Sequence, residues 1–412
     1  MKRIERVRLY PANHQRARLV FALDVTRQLF NALLQQRRDA YRSRGISVTT
    51  KMQYAELTGL RKDDARIAAV YRECEDAVLH RLDLAMQAFF RRVKRGEKPG
   101  YPRFKGRDRW HQIEFPHGGR ALKFNTDQSK VKIPGVGSIR LRKGRDIPVF
   151  GRAWITRCGC HWYASFECER AVVETPRRDD VLGIDRGVHV LAATSESSLV
   201  RNPRFLKRAR LRVERLQRTV SRRKRGGKNR KRAIRLLARA HECVSHARRD
   251  SMHKIARALV SAAPTVIAME ALQLKNMTCS AKGTVGAPGV HVRQKAGLNK
   301  ALLDSSFGLL QQMIASKAEE AGIAVVAVDP RYSSQECSRC GQIAAESRRE
   351  RRYACIRCGF SVHADVNAAL VIRRRAELRP AGRGASSEDL GDLRSVPTVG
   401  AEPARCNQDV AA

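Results

Sequence analysis

The chain has 412 residues and a formal net charge of +42, from 82 Lys and Arg against 40 Asp and Glu. Such a surplus repels itself unless a polyanion neutralises it, so nucleic acid is the expected partner. No apolar run approaches the ~18–20 residues that span a bilayer, so we expect no membrane segment. The first residues lack the apolar segment of a secretory signal, so we expect a cytoplasmic protein.

The first part of the chain predicts one strand followed by helices. Apolar and basic side chains alternate over residues 4–9, as in a half-buried strand. Between residues 13 and 96, leucines recur near the helical period of 3.6 residues, and Pro99, Gly100 and Pro102 then end the helical pattern. We therefore expect a helical domain over residues 13–96.

Residues 110–175 predict short strands separated by turn residues. The clearest candidates are residues 131–133, 139–141, 153–155 and 162–166. Short strands at close spacing are typical of a small β-barrel, and residues 1–12 would supply a further strand. The alternative is an irregular region rich in loops, because short strands are poorly predicted from one sequence.

The most basic part of the chain is residues 201–250, which hold 20 Lys or Arg and three acids. Apolar residues step by three and four on both sides of Gly226-Gly227, from Leu206 to Val220 and from Ile234 to Ala247. This pattern predicts a helical hairpin with one apolar seam and a basic outer surface. A merely solvated surface is the alternative, but with so few acids to pair the charges, phosphate contact is favoured. The candidate contacts are Arg222, Arg223, Lys224, Arg225, Lys228, Arg230, Lys231 and Arg232.

Three apolar segments end in an acid, as strands that point toward one edge of a sheet would. They are residues 181–185, 265–270 and 324–329, and a fourth acid, Asp365, begins an apolar helical pattern. The order strand hairpin, helices, strand, helix, strand, helix is that of an RNase H-like α/β fold. A single acid at a strand end is usually a cap or a surface group, but three in compatible order in a basic chain indicate a metal site.

The candidate catalytic acids are Asp185, Glu270 and Asp365, which we expect to converge at one edge of the sheet. Clustered carboxylates are costly without a divalent cation, and oxygen ligands with open positions suit Mg²⁺. Two such ions can activate water and stabilise the leaving oxygen of a phosphodiester. Asp329, just before Pro330, is interpreted as a turn residue, Asp304 as part of a helix start, and His363 as a surface or hydrogen-bonded histidine.

Four of the eleven cysteines form a compact pattern: Cys337-x2-Cys340, then fourteen residues, then Cys355-x2-Cys358. Four thiolates in this spacing predict a structural Zn²⁺ site in an insert over residues 335–360. An iron centre or unligated thiols are the alternatives. The insert interrupts the chain just before Asp365, and its four arginines between residues 348 and 352 suggest that it also contacts phosphate. The other seven cysteines are interpreted as thiols without a role.

On these motifs the chain resembles the TnpB family of transposon-encoded proteins, which are related to the type V CRISPR effector nucleases. The resemblance covers about residues 1–375. Its most specific segments are residues 183–187, 221–232, 269–272, 298–304, 328–341 and 365–369, joined upstream by residues 88–92 and 99–105.

The resemblance implies an RNA-guided DNA endonuclease of a transposable element in a prokaryote. Its implied partners are a guide RNA and double-stranded target DNA with a short adjacent motif, and its implied location is the nucleoid when bound to DNA. Asp185, Glu270 and Asp365 match the family's three catalytic, Mg²⁺-binding acids, and the four cysteines match its zinc insert. Many members carry an acid two residues before the third catalytic acid, where this chain has His363.

The resemblance also implies a domain organisation. A wedge-type β-barrel domain, residues 1–12 and 97–175, would hold the RNA scaffold, and a helical recognition domain, residues 13–96, would help to recognise the adjacent motif. A RuvC-like nuclease domain would occupy residues 176–334 and 361–375 and would include the basic hairpin. Residues 376–412 have six acids and four arginines and are expected to be a disordered tail.

Three other functions are compatible with parts of this pattern. An RNA-guided DNA-binding protein without cleavage would keep the fold and act as a roadblock. A transposase would use the same acids with a 3′ hydroxyl group in place of water. A plain RNA-binding protein would need no acidic triad, and the triad therefore argues against it.

Overall fold

The computed structural model describes residues 2–142, 144, 146–172, 178–284 and 286–378. The chain divides into two compact units, with the boundary between Arg170 and Ala171. Most of the expected tail lies outside the described residues, and its first two residues, Ala376 and Glu377, instead complete a helix. None of the helices in the described ranges is long and apolar enough to cross a membrane.

The first unit contains a seven-stranded sheet in which every pairing is antiparallel. The strand order is β2-β6-β7-β1-β5-β4-β3. Alternation of buried and half-buried side chains along β7 shows why this sequence forms a sheet with one apolar face. The predicted short strands are all present. The strands are β1 Lys2–Tyr10, β2 Gln112–Phe115, β3 Lys123–Phe124, β4 Lys130–Ile133, β5 Gly137–Leu141, β6 Phe150–Cys158 and β7 His161–Glu169.

Helices of the first unit lie mainly between β1 and β2 and share one hydrophobic core with the sheet. Phe30 of the first helix packs on Trp110, with 5.2 Å between ring centroids, and the Trp110 Nε1 donates to Thr26 Oγ1 at 2.9 Å. The helices are α1 Asn13–Arg44, α2 Thr50–Asp63, α3 Ala65–Ala68, α4 Arg72–Lys94 and α5 Gly118–Ala121, with a 3₁₀ turn at Arg107–Arg109.

The second unit contains a mixed five-stranded sheet in the order β10-β9-β8-β11-β12. The pairs β8–β9 and β9–β10 are antiparallel, whereas β8–β11 and β11–β12 are parallel. These strands are β8 Arg178–Asp185, β9 Val190–Thr194, β10 Leu199–Arg201, β11 Pro264–Glu270 and β12 Ala324–Val328. The helices are α6 Phe205–Arg222, α7 Lys228–Ser261, α8 Leu274–Met277, α9 Val292–Ser305, α10 Phe307–Glu320 and α11 Ala364–Glu377. The mixed α/β class predicted from the sequence is confirmed.

The predicted basic hairpin is formed by α6 and α7, which are joined through Gly226 in a left-handed backbone conformation. Its apolar seam contains Val213 and Val220 of α6 and Leu237 of α7. The prediction was wrong at Ile234, which is 39% exposed, because the seam uses the adjacent Ala233 instead. A small residue here lets the two long helices approach closely.

The cysteine-rich insert is a small three-stranded antiparallel sheet around the buried ring of Tyr353. Its strands are β13 Arg348–Arg349, β14 Arg352–Ala354 and β15 Ser361–His363, preceded by a 3₁₀ turn at Ala345–Ser347. The insert leads directly into α11, so its last strand fixes where that helix begins.

Candidate active site and metal centre

Two of the predicted acids leave the sheet at the same edge. Asp185 ends β8 and Glu270 ends β11, and these parallel neighbours pair Ile184 with Met269 directly before the acids. Asp365 lies in the first turn of α11, where the helix dipole favours an anion. The structure therefore brings Asp185, Glu270 and Asp365 together from two strands and one helix.

The approach of α11 to β8 depends on Gly183. A Cβ atom at this position would lie 2.8 Å from the Arg373 backbone nitrogen, and closer still to the Ala369 carbonyl oxygen. Only glycine leaves room for the helix backbone at this distance. The absence of a side chain two residues before Asp185 thus sets how near Asp365 comes to the other acids.

The electrostatics of the three carboxylates reflect this convergence. Burial, and then the charges of Glu270 and Asp365, raise the pKa of Asp185 to about 7. Glu270 is itself 7% exposed, and its Oε1 accepts a hydrogen bond from the Ser333 hydroxyl. The cluster therefore carries more negative charge than its immediate surroundings neutralise, as expected of a site that binds cations.

Two residues from the small cysteine-rich sheet, Arg348 on β13 and His363 on β15, contact Asp365. The Arg348 Nη2 lies 3.2 Å from Asp365 Oδ1, and the backbone N–H of Asp365 donates to His363 Nδ1 at 3.3 Å. His363 is thus a hydrogen-bonded histidine that caps α11. Arg348 was expected to touch phosphate, and the structure places it beside the acids.

Sequence reasoning missed Arg186, which directly follows Asp185. It is 5% exposed, and its guanidinium donates to the Glu270 carbonyl oxygen and to Gln311 Oε1, both at 2.6 Å. Burial lowers the pKa of Arg186 to about 10, so its guanidinium stays charged at neutral pH. One arginine among 82 basic residues carries no sequence signal of this role.

Asp304 and Asp329 lie apart from the cluster. Asp304 was predicted at a helix start but stands near the end of α9, where its carboxylate accepts from the Leu206 backbone N–H at 3.1 Å and from Arg248 at 2.6 Å. It therefore caps the start of another helix, α6, across a long sequence separation. Asp329 accepts from the backbone N–H of Arg331 at 3.0 Å, in agreement with its interpretation as a turn residue.

The four cysteines of the insert form a compact ligand set. Sγ atoms are 3.7 Å apart in the pair Cys337–Cys358 and 3.6 Å apart in Cys340–Cys355, and all four lie within 4.8 Å of one another. Backbone N–H groups of Cys358 and Arg357 lower the pKa of Cys355 to about 6, which favours the thiolate that metals bind. In the described ranges no second group of His, Cys, Asp or Glu ligands is as compact, so the three carboxylates are spread more widely.

The predicted nucleic-acid contacts lie around the tip of the basic hairpin. Arg222 ends α6, residues 223–227 form the turn, and Lys228 begins α7. Of the eight candidates, Arg230 is half-buried and the others are exposed. Their side chains are therefore available to a polyanion.

Sequence relatives identify the family of the chain. It is 33% identical over 292 residues to "Putative RNA-guided DNA endonuclease InsQ" of Escherichia coli (strain K12), a match that covers 70% of each protein. The chain belongs to the TnpB family. A second relative of this TnpB-family protein, "Putative RNA-guided DNA endonuclease" of Streptomyces pristinaespiralis, is 27% identical over 385 residues and covers 90% of this chain and 88% of the relative.

Three family models match separate parts of the TnpB-family chain. They are described as "Helix-turn-helix domain" over residues 1–45, "Probable transposase" over residues 165–281, and "Cas12f1-like, TNB domain" over residues 307–372. Over the first of these ranges the structure has one strand, β1, and one long helix, α1. The last range contains the four cysteines and Asp365.

The fold has a counterpart among solved structures. "Structure of the mini-RNA-guided endonuclease CRISPR-Cas_phi3" superposes with a TM-score of 0.50 and 10% sequence identity, covering 93% of each chain. At this identity the likeness concerns the fold alone.

Proposed function

We propose that this TnpB-family protein is an RNA-guided DNA endonuclease that hydrolyses phosphodiester bonds of target DNA. The observation that carries the proposal is the convergence of Asp185, Glu270 and Asp365 at one sheet edge in a chain of net charge +42. The relatives from Escherichia coli and Streptomyces pristinaespiralis bear names of the same activity.

The proposed nuclease domain is RNase H-like, of the RuvC type. Its support is the strand order β10-β9-β8-β11-β12. Strands β8, β9 and β10 pair antiparallel, and β11 and β12 then extend the sheet in parallel with β8. We assign to it residues 176–334 and 361–375, with residues 335–360 as the zinc insert. We assign residues 1–12 and 97–175 to a wedge-type barrel and residues 13–96 to the recognition helices. The end of the assigned barrel, residues 171–175, lies past the boundary of the first unit.

The residues of the acidic site fit divalent cations. Three carboxylates offer hard oxygen ligands. Burial, and then repulsion by Glu270 and Asp365, raise the pKa of Asp185, and a bound cation would favour its ionised form. Bound there, Mg²⁺ would lower the pKa of an attacking water and neutralise the leaving oxygen of the phosphodiester.

The chain's own groups would prepare this site. Arg186 holds the Glu270 backbone through its carbonyl oxygen, and Ser333 orients the Glu270 carboxylate by donating to it. Arg348, already beside Asp365, is placed to pair with a phosphate oxygen that enters between the acids. A single site of this kind would act on two strands in turn, each as an unpaired strand.

The four cysteines fit Zn²⁺ in a closed structural site. Their compact spacing supports the assignment. The ion would stabilise the small sheet of the insert, which has little other core, and would thereby hold Arg348 and the start of α11 in place.

The basic hairpin is the proposed site for the RNA scaffold or its paired DNA. A duplex is held mainly through its phosphates, and sequence reading is then left to base pairing with the guide RNA. The low aromatic content of 6% agrees with this, because a protein that leaves sequence reading to a guide RNA needs few aromatic side chains to stack on bases.

The test is a cleavage assay on the purified complex. The RNA that co-purifies is sequenced, and the complex with Mg²⁺ is incubated with a plasmid library that carries the matched target beside randomised flanks. Cut plasmids with a common flanking motif, absent from Asp185→Ala, support the proposal. Gel shift of matched DNA without cutting would instead indicate a cleavage-inactive binding protein, and strand-joined products from donor DNA without RNA would indicate a transposase.

A further inference from the structure

The first unit carries an aromatic patch that includes none of the acids, cysteines or hairpin residues described above. It consists of Phe89 and Phe90 near the end of α4 and of Tyr101 in the segment that follows, and Phe104 lies three residues further along that segment. The Phe89 ring lies edge-to-face against both neighbours, with centroids 5.1 Å from Phe90 and 5.2 Å from Tyr101. Phe90 is 57% exposed, Tyr101 38% and Phe104 43%. Three large rings are therefore in contact with water in a chain poor in aromatic residues.

The patch is held in place by hydrogen bonds on both sides. Arg92 of α4 donates to the Pro99 and Gly100 carbonyl oxygens at 2.5 and 3.0 Å. Asn31 of α1 accepts from the Lys105 backbone N–H at 2.7 Å and donates to its carbonyl oxygen at 3.0 Å. The segment that presents Tyr101 and Phe104 is thus fixed at its two ends. A ligand that stacks on these rings would not have to order the segment first.

The segment that carries the rings is rich in positive charge. Residues 91–105 contain seven Lys or Arg and one acid, Glu97, a net charge of +6. From α1, the Arg38 guanidinium lies over the Phe104 ring, 5.0 Å from its centroid. Exposed aromatic side chains and nearby cations are the two elements that single-stranded nucleic acid binds, one for its bases and one for its phosphates.

We propose that the aromatic patch stacks unpaired nucleobases of a single strand of RNA or DNA. A duplex keeps its bases stacked inside and offers only phosphates to the same surface, whereas an unpaired strand offers both groups. Stacking is tolerant of base identity because every base has a π face. The inference deepens the proposed function, on which it rests for the presence of unpaired strands, by assigning to the first unit a site that holds one.

Binding of short oligonucleotides to the full-length protein tests the inference without any cleavage step. The probes are fluorescein-labelled 12-nucleotide oligo(rU), 12-nucleotide oligo(dT) and a blunt duplex of 12 base pairs, measured by anisotropy without Mg²⁺ at several NaCl concentrations. Phe90→Ala and Phe104→Ala should each weaken single-strand binding roughly five- to a hundredfold and duplex binding less than about twofold. The slope of log K against log salt should not change, because no charge is removed. The oligo(rU) and oligo(dT) arms distinguish RNA from DNA as the preferred strand.

Matched variants separate stacking from other roles. Phe90→Trp should keep the affinity, and Phe90→Leu, which preserves apolar area without a π face, should lose as much as Phe90→Ala. Phe21→Ala is the control, because Phe21 lies on α1 and is also 38% exposed. Duplex binding and thermal melting verify that each variant is folded.

Several results would overturn the inference. Full affinity in Phe90→Leu would identify an apolar docking surface, and equal losses on duplex and single strands would identify general phosphate binding. A change of oligomeric state in Phe90→Ala, with oligonucleotide binding intact, would identify a second copy of the chain as the occupant. Because these probes are not cleaved, failure here is distinct from failure of the plasmid assay.

Discussion

At the scale of single residues, the ionised carboxylate of Asp185 lowers the free energy of unfolding when no cation is bound. Burial and the charges of Glu270 and Asp365 raise its pKa from 3.8 to about 7. Between these two values the unfolded chain has lost the proton and the folded chain has kept it. The free energy of unfolding therefore decreases as pH rises from about 4 to about 7, and this loss is complete above pH 7.

We predict that Asp185→Asn stabilises the protein in the absence of divalent cations. The melting temperature in Mg²⁺-free buffer that leaves the zinc bound should exceed that of the wild type by an amount that grows from pH 5 to pH 7 and then levels. Added Mg²⁺ should raise the melting temperature of the wild type at pH 8 and leave the variant nearly unchanged. The control is Asp250→Asn, which removes an exposed carboxylate that pairs with Lys254. A gain that is equal at pH 5 and pH 8 would contradict the assigned cause.

Arg348 gives a second prediction at this scale, because its guanidinium neutralises part of the charge at Asp365. In Arg348→Ala the repulsion among the acids is unrelieved, so the melting temperature at pH 8 in Mg²⁺-free buffer that leaves the zinc bound should decrease, and Mg²⁺ should restore it. Cleavage by the complex should fall at least about tenfold, equivalent to about 1.4 kcal/mol of transition-state stabilisation, with binding of target DNA preserved. Arg348→Lys should recover part of both losses.

The adjacent residue supplies the control for Arg348. Arg349 lies on the same short strand and is exposed. Arg349→Ala should therefore leave the melting temperature in the same Mg²⁺-free buffer and the cleavage rate unchanged. Equal effects at the two positions would show that the insert needs positive charge in general and not this contact.

At the scale of elements, the distance between β8 and α11 is set by Gly183. Gly183→Ala places a methyl group against the backbone of α11, so we predict a destabilisation of about 1–3 kcal/mol together with loss of cleavage. Gly297→Ala is the matched control. Its site in α9 has open space around it, and alanine there should stabilise the helix by about 0.5–1 kcal/mol. Chemical denaturation of both variants measures the difference, and a neutral Gly183→Ala would refute the close approach.

The cysteine insert is the second element whose stability depends on few contacts. We predict that Cys355→Ser lowers the zinc content, the melting temperature and cleavage together, because a structural metal contributes folding free energy directly. Cys243→Ser, which changes an exposed cysteine on α7, should alter none of the three. Retention of one equivalent of zinc with an unchanged melting temperature in Cys355→Ser would count against the Cys₄ site.

The sequence predicted those elements whose signal is local. Strand-end acids, the cysteine spacing and the apolar seam of the hairpin are each contained in a few neighbouring residues, and the structure has the corresponding strands, sheet and helices. Arg186 and Asp304 escaped prediction because their partners lie on other elements, Gln311 and Leu206 respectively. Ile234 was misassigned since an alanine beside it satisfies the same helical period.

At the scale of the whole molecule, the basic residues behind the net charge of +42 differ in how readily they can bind a polyanion. Some basic residues are neutralised by an acid one helical turn away, as in the pairs Arg210–Glu214 and Lys254–Asp250. At the hairpin tip, in contrast, Lys224 and Arg225 are exposed in a stretch from residue 215 to residue 241 that contains no acid. A phosphate that binds at the tip displaces counterions from the nucleic acid, whereas one that binds a paired cation must also compete with a carboxylate.

The salt dependence of binding measures this difference. The double variant Lys224→Gln, Arg225→Gln should make the slope of log K against log salt for a duplex smaller by about 1.8, since each lost phosphate contact contributes about 0.9. The control double variant Arg210→Gln, Lys254→Gln also removes two positive charges, but from existing ion pairs, and should change the slope by much less. Equal changes in the two double variants would mean that the surplus acts as a diffuse field. A change confined to the tip would mean that binding depends on the local arrangement of charge, and the sum over the chain would then overstate how many phosphates the protein can hold.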